Sequence, residues 1–156
     1  MGVDIHIKVT MFDKITEKYK EVNLYNEDNN RIDIFPYRSY VLFDILNGND
    51  DEINLPSSEI SFSTLDSFLA GELKAWKNDD GCYGFSEVTL ADIIIETLKH
   101  PVIKNWDNED IESEPNKPNP LIAFVERIKY FLDFANVGYS DYIPPSKIKI
   151  IYWFDR

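Results

Sequence analysis

The first run of the chain alternates. Between residues 3 and 12, Val3, Ile5, Ile7, Val9 and Met11 share one parity, and Asp4, His6, Lys8 and Thr10 share the other. A period of two over this length predicts a strand with one buried face. The segment EKYKEVNLYNEDNN predicts a second strand that ends in a turn-rich cluster, paired to the first as an antiparallel hairpin through the polar DKITEK stretch.

The pattern then becomes helical. In YRSYVLFDILNG, Tyr40, Leu42, Phe43 and Leu46 form a short apolar stripe, with Ser39 placed to cap it and Gly48 near its end. After the acidic loop NGNDDEINLPSS comes SFSTLDSFLAGELKAW, a helix expected to be capped near Ser63 and weakened at Gly71 by about 1 kcal/mol relative to Ala. KNDDGCYGFS reads as a loop on its Asp80-Gly81 turn signal. In EVTLADIIIETLKHP, Thr89 and Asp92 have capping-box spacing and Pro101 stops the helix. The longest stripe starts at Pro120 and runs through Ile122, Phe124, Val125, Ile128, Phe131, Leu132 and Ala135 to Gly138. KIKIIYWFDR closes the chain as a strand rich in β-branched and aromatic residues.

The element order is β-β-α-α-α-α-β. It predicts an α+β fold: a small, mostly antiparallel sheet, built from the N-terminal hairpin plus the C-terminal strand and covered by about four helices on one side. The last strand is expected beside the first, leaving Asp4 and His6 together on the opposite face. The 156 residues fit a single domain, 1–156, and the acidic, proline-rich stretch around 105–119 reads as a flexible excursion from it.

Composition narrows the partners. Sixteen Lys and Arg against 28 Asp and Glu leave a net charge of −12, with no basic cluster. Nucleic acid is therefore not an expected partner. No apolar run has the length of a membrane span, and the opening residues lack the pattern of a signal peptide. Cys82 is the only cysteine, so disulfide pairing within the chain and a Cys-based zinc site are excluded, and a reducing cytoplasmic setting is expected. No cofactor and no metal are expected.

Three constellations carry candidate chemistry. Asp4 and His6, on one face of a strand, lie roughly 6–7 Å apart at a rise of about 3.3 Å per residue, within reach of one ligand. A carboxylate beside an imidazole also suits a catalytic pair. The same spacing fits a solvated strand face. Arg38, between Tyr37 and Tyr40 just before a helix, suits an anion flanked by a stacking ring, or an ordinary surface ion pair. Asp80, Tyr83 and Ser86 fall in a two-glycine stretch that allows close backbone approach, or simply connects two helices.

MGVDIH resembles the opening MGCDIH of a family of small uncharacterised proteins common in bacteriophage genomes. The resemblance continues through Arg38, Tyr40, Leu42 and Phe43, through Leu55-Pro56, through DGCYGFSEVTLADI and through the closing Trp153-Phe154-Asp155. Val3 stands where the family has cysteine, and Cys82-Tyr83-Gly84 replaces its loop histidines. The resemblance implies a phage setting in the host-cell cytoplasm, without a mechanism. In that setting the expected function is sequestration of a small, anionic, nucleotide-derived immune signal, with Asp4, His6, Arg38, Tyr40, Asp80, Tyr83 and Ser86 as the binding residues. One alternative is hydrolysis of a nucleotide or phosphodiester, either metal-dependent or based on His6 and Asp4. Another is an acidic inhibitor that binds a host protein. Homo-oligomer formation is left open.

Overall fold

The computed structural model describes residues 3–23, 28–30, 40–50, 52–103, 117–134 and 143–156. Its strands are β1 (Asp4–Asp13), β2 (Lys18–Glu21), β3 (Cys82–Thr89), β4 (Val102–Ile103), β5 (Lys117–Pro118) and β6 (Ile148–Asp155). Its helices are α1 (Tyr40–Leu46), α2 (Ser67–Lys77), α3 (Leu90–Lys99) and α4 (Pro120–Phe134), with 3₁₀ turns at Phe62–Thr64 and Pro145–Lys147.

The fold is α+β. The main sheet is antiparallel with strand order β2-β1-β6-β3, and β4 and β5 form a small ladder of their own. As expected, the last strand lies beside the first. β1 and β6 are the central pair, in a register that sets Asp4 opposite Asp155 and His6 opposite Trp153. The hairpin turns through residues 14–17, where Glu17 takes a positive φ of 56° and its N–H donates to the Asp13 carbonyl.

Helices cover both faces of this sheet, where the sequence predicts cover on one. On the first face Val9, Met11, Val88, Ile150, Tyr152 and Phe154 pack against α1, α3 and α4. On the second face Tyr19, Ile151 and Trp153 pack against Leu69, Ala70 and Leu73 of α2. The cause is visible in β6: its five residues from Ile150 to Phe154 are all buried, whichever way they point. A strand apolar at both parities needs cover on both sides.

Three local expectations change. Part of the predicted 77–86 loop is β3, whose alternation is broken by a bulge between Tyr83 and Ser86. There Gly84 and Phe85 together face Trp153, and Gly84 supplies the positive φ of 69° that such a bulge takes. Helix α2 begins at Ser67 with Asp66 as its cap, whose side chain accepts from Leu69 N, while Ser63 lies in the preceding 3₁₀ turn. The second strand is four residues long, shorter than its sequence pattern.

Other expectations hold. Thr89 caps α3, accepting from Asp92 N and donating to the Asp92 carboxylate at 2.9 Å. Pro120 opens α4, and the buried Asn119 just before it accepts from Leu121 N. Arg38 and Ser39, the Gly138 terminator and most of the 105–119 excursion lie outside the described residues. Among the described residues, no helix is long and apolar enough to cross a membrane.

Candidate aromatic site on the second face

His6, Trp153 and Phe85 come from three neighbouring strands and point to the same face. Adjacent strands lie about 4.8 Å apart, so side chains at matched positions can stack ring on ring across the sheet. His6 and Trp153 lie 5.2 Å apart with planes within 10°, and Phe85 and Trp153 lie 5.5 Å apart within 7°. The bulge at Gly84 makes this possible, because without its extra residue Phe85 would face the opposite side. No side chain fits at Gly84: a Cβ there would stand 2.6 Å from the Phe154 ring.

Trp76, in the last turn of α2, leans over the stack at 5.1 Å from His6 and 5.7 Å from Trp153. The cluster opens to solvent at its His6 end. The His6 side chain is about one-third exposed (32%), Trp76 is half-buried, and Trp153 is buried.

Carboxylates rim this opening. Asp155 Oδ2 lies 3.5 Å from His6 Nε2, and Asp4 is the cross-strand neighbour of Asp155. His6 Nε2 is itself buried and makes no well-aligned hydrogen bond, to Asp155 or to any other described group. The indole N–H of Trp153 has no conventional acceptor either. It sits against the Cys82 thiol and opposes, in part, the larger effects that raise that thiol's pKa: burial first, then the charges of Asp155 and Asp79. These effects favour the thiol over the thiolate at Cys82.

The candidate residues from the sequence divide between the two faces. Asp4 and His6 share the second face, opposite Ile5 and Ile7, which pack into the first. Asp80 is exposed in the turn that enters β3, at the same end of the sheet. Tyr83 points the other way, against Phe154 at 5.6 Å, with the Arg156 guanidinium 4.8 Å from its ring. Ser86 also lies on the first face, its hydroxyl donating to the Gly84 carbonyl. Tyr40 opens α1, and its side chain, like Arg38, is outside the described residues. The structure thus unites Asp4 and His6 and sets Tyr83 and Ser86 apart from them.

Trp76, Phe85, Trp153 and Asp155 were missed as site residues. Two of them carried a usable signal: once the final strand is placed antiparallel to the first, Trp153 and Asp155 fall beside His6 and Asp4 by register alone. Nothing in the sequence announces the bulge that turns Phe85, or the helix turn that delivers Trp76.

The assembled site offers ring faces, an imidazole and carboxylate acceptors, chemistry suited to stacking and to holding hydroxyl or amino donors. Among the described residues no three His, Cys, Asp or Glu side chains are grouped to hold a metal ion. No family model, curated protein or solved structure matches the chain.

Proposed function

We propose that the protein is a binding module that sequesters a nucleotide-derived signal without altering it. The observation that carries this reading is the His6–Trp153–Phe85 stack under Trp76, open at His6. A purine or pyrimidine ring stacks on such a surface, at about 1–3 kcal/mol per base. Asp4 and Asp155 accept hydrogen bonds from ribose hydroxyls or base amino groups, which makes this the nucleoside end of the site. The acidic rim repels phosphate, so the phosphate end falls to a cation such as Arg38, which belongs to the segments resembling the phage-associated proteins. The host cytoplasm is where such a signal would be met.

A second reading has one observation in its favour. His6 beside Asp155 has the partners of a general base and its orienting carboxylate, so hydrolysis of the same ligand class is the alternative.

One experiment addresses both. A panel of mono-, di- and cyclic oligonucleotides is titrated calorimetrically, and each ligand is recovered from heat-denatured protein for mass spectrometry. Sequestration predicts saturable binding, an unchanged ligand, and a loss of about tenfold or more in affinity for Trp76→Ala, within the range of one lost base stack. Recovery of cleaved ligand replaces sequestration with hydrolysis. Failure of every nucleotide to bind overturns both and leaves the host-protein inhibitor.

A further inference from the structure

At the other end of the sheet a cavity of about 490 Å³ opens beside the β1–β2 hairpin. That volume lies within the range of small-molecule pockets. Its floor is the buried pair Met11 and Val22, and Phe12 and Ile143 supply further apolar wall. Ile15, in the hairpin turn, lines it as well and is 93% exposed, the most exposed large apolar side chain among the described residues. An isoleucine presented to water at the mouth of an apolar cavity extends that cavity's apolar surface.

The lining also has a charge sense. Of its two carboxylates, Asp13 is held by Lys20 at 2.7 Å and Glu21 by the buried Lys8 at 3.0 Å. Lys14 is, among the described residues, the one lining cation without a carboxylate partner. The site therefore combines an apolar interior with one exposed lysine that no described carboxylate holds, in a lining of two lysines and two carboxylates.

We infer that this cavity binds an amphipathic monoanion, an apolar body ending in a carboxylate, with the body against Met11 and Val22 and the anionic head at Lys14. This site is separate from the His6 cluster and does not depend on the reading given to it.

The test uses three probes that share a ten-carbon alkyl chain, decanoate, decanol and decyltrimethylammonium, titrated calorimetrically against the full chain below their micellar or solubility limits. Decanoate is expected to bind saturably at one site and more tightly than the other two. Lys14→Glu is expected to weaken decanoate about fivefold, the upper scale of an exposed ion pair, and to leave decanol unchanged. Val22→Trp fills the cavity and is expected to abolish binding of all three. Ile15→Asp, at a solvent-exposed turn, is the companion variant whose fold should be unaffected, and it too should weaken decanoate and decanol. The inference is overturned if no probe saturates, if the ammonium binds as well as the carboxylate, or if Ile15→Asp and Lys14→Glu both bind like the parent.

Discussion

The two faces of the sheet are held down by different physics. The first is a hydrocarbon core, with Leu121, Phe124, Ile128, Ile93 and Leu42 all fully buried around the strands. Its polar groups are few: the Tyr152 hydroxyl donates to the Leu46 carbonyl at 2.9 Å and meets Ser57 Oγ at 2.7 Å, and Asn119 and Glu96 are buried at the edges of α4 and α3. The second face mixes rings with buried charge. Lys8, 4% exposed, bonds Glu21 at 3.0 Å and Glu72 of α2 at 2.9 Å. Lys149 bonds Glu87 at 3.3 Å and lies 4.4 Å from the Tyr19 ring. A hydrocarbon face tolerates any well-packed apolar filling. A face with buried charge depends on particular partners, because each ion left alone there costs several kcal/mol. The second face therefore places α2, and with it Trp76 one turn beyond Glu72, through directional contacts that grease alone would not provide.

The strongest way to test this contrast is to damage each face once. Phe124→Ala on the first face should cost about 3–5 kcal/mol in urea unfolding, the usual penalty for an emptied aromatic site. Lys8→Met on the second should cost about 3 kcal/mol, because Glu21 is left buried without its cation. The two losses differ in how they are repaired. Adding Glu21→Met to Lys8→Met should recover most of the loss, since removing both members of a buried pair is often neutral. No second deletion would restore the Phe124 cavity. A double variant less stable than Lys8→Met would show that the ion pair adds net stability.

Gly84→Ala probes the seam between the faces. Its Cβ would meet the Phe154 ring of the first face while straining the bulge that aims Phe85 at the second. The expected cost is about 1–3 kcal/mol, with a changed near-ultraviolet dichroism from the Trp153 stack. An unchanged spectrum would mean that the stack does not need the bulge.

The smallest effect concerns an ion pair on neither core. Lys20 holds the Asp13 carboxyl down to about 2, helped by the Ile15 N–H. A depressed folded-state pKa means that the stabilisation is present above the ordinary value of 3.8 and is lost as pH falls toward 2. Lys20→Ala should move the Asp13 carbon-13 titration back up toward 3.8. A midpoint that stays near 2 would assign the shift to the backbone instead.

The same contrast explains what could be read from the sequence. The first face follows from periodicity: alternation in β1, the 3.6-residue stripes of α3 and α4, and the Thr89 and Pro120 helix starts are all local patterns. The second face depends on non-local facts. Lys8 and Glu72 are 64 residues apart and look like solvated charges in sequence. β3 read as a loop because its two glycines and bulge break the alternation that marks a strand. The candidate site was half legible for this reason. Asp4 and His6 stand out as polar residues on a strand, whereas Trp76 and Phe85 reach them only through a helix register and a backbone bulge.

The central β1–β6 pair has a kinetic consequence. Thr10 donates to the carbonyl of Lys149, 139 positions away, so the middle of the sheet forms only after a very long loop closes. Such non-local pairing slows folding relative to helical domains of similar size. Asp4 and Asp155 face each other, so a short linker can join the two strands as a hairpin, with new ends cut in the exposed turn between Ile15 and Thr16. That permuted chain would keep the same sheet while making the β1–β6 pairing local and the β1–β2 pairing distant; because β1 pairs with β6 at eight positions and with β2 at four, it should refold faster than the parent.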